Sequence, residues 1–193
     1  MVHPTKQALL EAGAEMLLEQ GYHALGIQSL LTETGIPKGS FYHHFNNKED
    51  FVLGVVDLYM DQVHEVLDEC VKDQSRPPLE RARGFFEKTR TKYREEGYLG
   101  CLLGGLGQEL SGASDVFQSR IEQCLSEISA GIEACLRQAQ TQGDLPEDTD
   151  VGTLADLLVN CWEGAALRSR LRRSPDPLDE MLDFYFSAAE SLD

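Results

Sequence analysis

Membrane-spanning runs, paired cysteines and an excess of positive charge are all missing from this 193-residue chain, and each absence removes a class of function. No continuous apolar stretch reaches the roughly 20 residues of a bilayer-spanning helix, and the N-terminus lacks a signal-peptide core, so a cytoplasmic location is expected. The five cysteines (Cys70, Cys101, Cys124, Cys135, Cys161) are scattered, odd in number and never spaced C-x-x-C. Reduced, mostly packed thiols fit that pattern better than a disulfide framework or a zinc site, and neither metal nor cofactor is expected. The formal net charge of −16 argues against broad, non-specific affinity for nucleic acid. Histidine is confined to positions 3, 23, 43, 44 and 64. A thiol-dependent enzyme needs a base beside its nucleophile, and only His64 is placed to approach a thiol in the later part of the chain.

What the chain does have is helical periodicity from end to end, with no credible strand, internal repeat or low-complexity linker. The expected fold is all-α. An opening helix over residues 5–20 carries Leu9, Gly13, Met16 and Gln20 on one face, with Thr5 as N-cap and Gly21 as its stop. A second helix starts near Gly26 and carries Ile27, Leu30, Leu31 and Thr34. Gly35 suits a left-handed helix end and Pro37 the turn into a third helix. That third helix, from Lys38 to Phe45, sets Phe41 and Phe45 four apart for burial. Its other face offers Lys38, Gly39, Ser40, Tyr42 and His43. Helix, tight turn, helix is the arrangement that lays its second helix in a DNA major groove.

The run "GIPKGSFYHHFNNKEDF" resembles the DNA-binding signature of the TetR family of transcriptional regulators, through Lys38-Gly39, Phe41-Tyr42, Phe45 and Lys48-Glu49 at their spacings. The resemblance implies a DNA-binding domain over residues 1–47 and a ligand-sensing, dimerising domain over residues 48–193. It also implies a homodimer closed through the last two helices, double-stranded operator DNA as partner, and no enzymatic activity. Lys38, Gly39, Ser40, Tyr42, His43 and Lys48 are then the expected DNA contacts, with Gln28 and Thr32 on the preceding helix. Family members commonly carry a threonine at the position of Leu25, which can neither cap nor touch phosphate. They also carry a basic arm, of which only Lys6 is present here. Over residues 1–48, Lys6, Lys38 and Lys48 face Glu11, Glu15, Glu19 and Glu33, which leaves this segment near neutral and predicts modest affinity.

Beyond the head, a helix over residues 48–72 is about 37 Å long at 1.5 Å per residue, long enough to act as a lever into a second domain. Ser75-Arg76-Pro77-Pro78 breaks it. Further helices are expected over residues 79–95, 114–142, 150–173 and 177–192, the last started by Asp176 as N-cap and Pro177 in its first turn. Between them lies the apolar, glycine-rich segment "GCLLGGLGQEL". With "WEGAALRSRL", it is similar to a branch of TetR regulators that respond to electrophiles, oxidants or small unsaturated acids such as acrylate. In that branch the cysteine matching Cys101 is the sensing or pocket residue. Exposed amides at a helix start and a nearby guanidinium would both favour its thiolate. Arg170 aligns with a lysine that partners the cysteine covalently in some relatives, and arginine stays protonated. Trp162, Glu163, Arg168 and Arg170, with Tyr59, Phe86, Tyr93 and Phe117 as wall residues, complete the expected ligand and sensor set. Each aromatic equally suits plain core, and Glu163 with Arg168 a structural ion pair. Two rivals remain at this point: a helical interaction module that has lost DNA binding, and a Cys101-dependent enzyme.

Overall fold

In the computed structural model, which describes residues 3–189 and Ser191, every regular element is an α-helix. In chain order these are α1 (Pro4–Ala24), α2 (Ile27–Thr34), α3 (Lys38–His44), α4 (Lys48–Lys72), α5 (Pro78–Glu95), α6 (Leu102–Leu110), α7 (Asp115–Gln142), α8 (Val151–Arg172) and α9 (Asp176–Ala189). No described helix is long and apolar enough to cross a membrane. The chain forms two compact units, residues 1–62 with 102–121 and residues 63–101 with 122–193.

In the first unit α1 packs on α2, α3 and α6. Its inward face is Leu9, Leu10, Gly13, Leu17 and Leu18, whereas Gln20 is exposed and Met16 half-buried, so the stripe is rotated from the expected one. The cap is His3, whose Nδ1 accepts from Thr5 N at 3.3 Å; Thr5 itself is already helical. Gly21 leaves the helical conformation at φ 80°, a value that only glycine adopts cheaply. Gly35 closes α2 in the left-handed region as its position demands. Phe41, Phe45 and Phe51 are buried with ring centroids 5.1–5.4 Å apart, locking α3 to the start of α4. Burial of each such side chain contributes about 1.5–3 kcal/mol.

The second unit is organised by α5, α8 and α9, with α9 packed on both of the others. Asp150 caps α8 by accepting from Thr153 N at 3.1 Å. Asp176 proves to be the first residue of α9 rather than its cap, and its N–H donates to Ser174 Oγ at 3.2 Å. The expected end of this helix at Leu192 lies outside the described residues. Arg81 of α5 is buried to 1 % exposure; it donates to Val71 O (2.7 Å) and to Gln138 Oε1 (2.6 Å), tying α5 to α4 and α7. Cys70, Cys124 and Cys135 are buried, Cys101 is half-buried and Cys161 exposed. Burial pushes the thiols of Cys70 and Cys135 up from the ordinary range, which suits inert core cysteines.

Candidate DNA-reading and sensing sites

The short helix α3 owes its exposed face to the burial of Phe41 on the other side. Lys38, Gly39, Tyr42 and His43 are exposed and Ser40 is half-buried. Lys38 Nζ lies 5.8 Å from the Tyr42 ring, so the two side chains form one cationic, hydrogen-bonding patch. A Cβ at Gly39 would meet nothing within 4 Å, leaving its backbone open to close approach. On α2, Gln28 and Thr32 are also exposed, and Thr32 Oγ1 donates to the Gln28 carbonyl at 2.9 Å.

Lys48, an expected phosphate contact, also has a partner within the first unit. Its Nζ donates to Tyr22 O at 2.5 Å and lies 4.2 Å from the Tyr22 ring centroid. Partial burial holds its ammonium below the usual lysine range, against the pull of Glu109. Glu109, on α6, was not singled out by any sequence pattern. Its carboxylate accepts from Tyr22 N and His23 N, both at 3.1 Å, and so caps the amides exposed where α1 breaks at Gly21. A side chain at Gly21 would collide with that carboxylate. The partners are 86 and 87 residues apart in sequence, so no local spacing could reveal them.

In the second unit the structure brings together much of the sensor set. Trp162 is buried, with its ring 5.0 Å from Phe86 and 5.8 Å from Tyr93. Next along α8, the Glu163 carboxyl is hydrogen-bonded to Cys101, the residue immediately before α6. Burial raises the Glu163 carboxyl above the usual carboxylate range, and the Cys101 hydrogen bond only partly offsets this. The Cys101 thiol therefore has a carboxyl partner. Arg170 lies beside the same loop: a Cβ added at Gly100 would meet its stem at ordinary van der Waals distance. Arg173 Nη1 donates to Gly97 O at 2.9 Å, fastening the same loop to the end of α8. This loop turns through Gly97, Tyr98 and Gly100, all at positive φ.

Tyr59 and Phe117 are buried in the first unit, where Phe117 stacks edge-on with Tyr22 at 5.6 Å. Arg168 is exposed and lines a surface groove of the α8 and α9 faces with Cys161, Gly164, Arg172, Glu180 and Phe184. No group of three or more metal-ligating side chains occurs among the described residues.

Comparison with known proteins gives the family. Residues 9–55 match the model for bacterial regulatory proteins of the tetR family, and residues 78–185 match the tetracyclin repressor-like C-terminal domain. The transcriptional regulator AcuR of Cereibacter sphaeroides is 38% identical over 173 residues, covering 89% of this chain and 79% of that protein. The HTH-type transcriptional repressor DhaR of Mycobacterium sp. strain GP1 is 31% identical over 185 residues, covering 96% and 92%. Among solved structures, the regulatory protein TetR from Rhodobacter sphaeroides superposes with a TM-score of 0.89 at 36% identity, over 94% of this chain and 96% of that one. Escherichia coli NemR in its reduced form gives 0.83 at 26% identity, over 94% and 95%. With a head of this geometry, a C-terminal domain of this class and relatives of this identity, the chain belongs to the TetR family of DNA-binding transcriptional regulators.

Proposed function

We propose that this regulator is a repressor whose hold on operator DNA is released by modification of Cys101, with Glu163 as the base that prepares the thiol. The observation that carries this is the hydrogen bond between the Cys101 thiol and a carboxyl whose proton affinity burial has raised. A base with a pKa shifted toward neutrality is better matched to taking a thiol proton than an ordinary carboxylate. For a small enal, the balance is simple. The Cys101 S–H proton passes to the Glu163 carboxylate, sulfur bonds to the β-carbon, and the resulting enolate takes a proton at its α-carbon. Arg170, packed beside Gly100, supplies positive charge in the same neighbourhood and cannot serve as a crosslinking amine. The relative NemR is described in a reduced form, which agrees with a redox-responsive branch.

On the DNA side, Lys38, Gly39, Ser40, Tyr42 and His43 are the proposed contacts, with Gln28 and Thr32 beside them. Lys48 is reassigned to holding α1 and α4 together through Tyr22. Residues 1–47 supply the reading head. A homodimer closed through α8 and α9 sets two heads against half-sites one helical turn, or a multiple of one, apart. An adduct that favours the non-binding spacing by roughly 3 kcal/mol lowers operator occupancy about a hundredfold.

The test is operator binding by gel shift on the DNA upstream of the gene, with and without N-ethylmaleimide or a small enal. Wild-type protein is expected to release operator, and Cys101→Ser to bind it and resist release. Equal release from the variant would replace thiol chemistry with a reversible inducer. Tyr42→Ala is expected to weaken binding while leaving the rate of Cys101 alkylation unchanged.

A further inference from the structure

The first 75 residues contain no arginine, and their lysines are Lys6, Lys38, Lys48 and Lys72. Of these, Lys48 is committed to Tyr22 and Lys72 lies in the second unit, where it pairs with Asp68. A protein that grips DNA through so few fixed cations needs charge from another source, because phosphate neutralisation supplies most of the binding free energy.

The head contains such a source in three imidazoles at one corner. The His3 and His44 rings are 5.2 Å apart and the His43 and His44 rings 5.0 Å apart. Lys6 flanks them, with Nζ 5.5 Å from the Phe45 ring. His44 meets α1 through His3 and Lys6 and meets its own helix through His43. Loss of solvent, then His43, His3 and Lys6, hold its imidazole below the ordinary histidine range, and no carboxylate contributes. Asp50, the carboxylate in the turn that follows, is occupied by Asn46 N and Nδ2, both at 2.8 Å.

The three rings do not have equal roles. His3 Nδ1 accepts from the Thr5 amide at 3.3 Å and so caps α1. His43 and His44 sit in the last turn of α3, where the helix dipole favours a cation. In the free protein His43, His3 and Lys6 oppose a charge on His44. A phosphate arriving at the same corner would remove the resistance and pay for it with an ion pair.

We propose that His3, His43, His44 and Lys6 form a proton-dependent phosphate site on the reading head, so that operator DNA binds with proton uptake at this cluster. The site supplies positive charge beside Lys6 and Lys38. It makes operator affinity rise as pH falls through the imidazole range, with a salt dependence that steepens at the same time, since each new phosphate contact adds about 0.9 to the slope of log K against log salt.

The experiment measures binding of the full-length protein to a labelled duplex carrying its footprinted operator, at pH 6 and pH 8 and at several salt concentrations. Wild type is expected to bind at least roughly tenfold tighter at the lower pH, with a salt slope larger by about one to two. Calorimetry in buffers of different ionisation enthalpy is expected to show proton uptake. His43→Gln/His44→Gln, which keeps the His3 cap, should lose the pH dependence, the slope change and the uptake. His43→Lys/His44→Lys should bind at pH 8 with the salt slope of wild type at pH 6. Unchanged wild-type affinity between the two pH values, or a pH dependence that survives in the glutamine variant, overturns the site while leaving the regulator intact. Absence of binding to any duplex at low salt and every pH would overturn the site and the regulator reading together.

Discussion

At the scale of single residues the proposed sensing site turns on the carboxyl beside its thiol. Because Glu163 is raised in the folded protein, its proton is bound more tightly there than in the unfolded chain. The contribution to stability is therefore full below the ordinary carboxylate range and is lost as pH rises through the raised value. Glu163→Gln keeps the shape and removes that loss. The variant is expected to melt higher than wild type near pH 8, with the difference closing near pH 4. Thermal unfolding followed across that range checks it, and a difference independent of pH would contradict it. The same variant should slow Cys101 alkylation, since the thiol loses its base. Sequence reasoning had Cys101 and Glu163 in one set because both stood in motifs similar to one branch of the family. The hydrogen bond between them, across 62 positions, was beyond any spacing rule. Trp162 is balanced in sequence between pocket wall and core, and the rings it contacts, Phe86 and Tyr93, suit both.

At the scale of elements, α4 is as long as its periodicity predicts, but α6 changes the account of signalling. Its glycines argue against an isolated helix, and tertiary burial of Leu102, Leu103, Leu106 and Leu110 overrides that propensity. Through these residues and Glu109, α6 belongs with the DNA-reading helices, while Cys101, the residue just before it, belongs to the second unit. A covalent event at Cys101 is therefore one peptide bond from an element that holds α1 in place. Glu109→Ala would strip the Tyr22 and His23 amides of their acceptor, costing about 1 kcal/mol, comparable to loss of a helix cap. Operator release by an enal should be blunted in this variant, although Cys101 is alkylated at the wild-type rate. Mass spectrometry of the adduct beside gel-shift titration separates the two quantities, and full release would remove Glu109 from the signal route. The helix boundaries were legible because glycine, proline and Asp150 punctuate them. The inward face of α1 was not, because Leu9-Leu10 and Leu17-Leu18 allow two overlapping stripes, and only packing on α2, α3 and α6 selects one.

At the scale of the whole molecule, the all-helical architecture and its family were legible from periodicity and one signature. The proposed dimer rests on apolar surface left outside. Leu157, Leu167 and Leu171 on α8 are 44–71 % exposed, and Phe184 on α9 is 78 % exposed. Phe184→Glu is expected to shift the protein toward monomer in sedimentation velocity and to weaken operator binding through loss of paired heads. A variant that remains dimeric would place the two-fold contact on another face.

The two units are not successive lengths of chain. The polypeptide passes from one to the other within α4, between Cys101 and Leu102, and again within α7. An excised fragment ending at residue 62 would carry every residue proposed to touch DNA, yet leave behind Leu102, Leu103, Leu106 and the Glu109 clamp. Grafting such a fragment onto another regulator would strand the back of α1 without its cover. Inheritance faces the same obstacle as the engineer: a reading head of this kind must be exchanged together with a piece of chain 40 residues downstream, or refitted side chain by side chain.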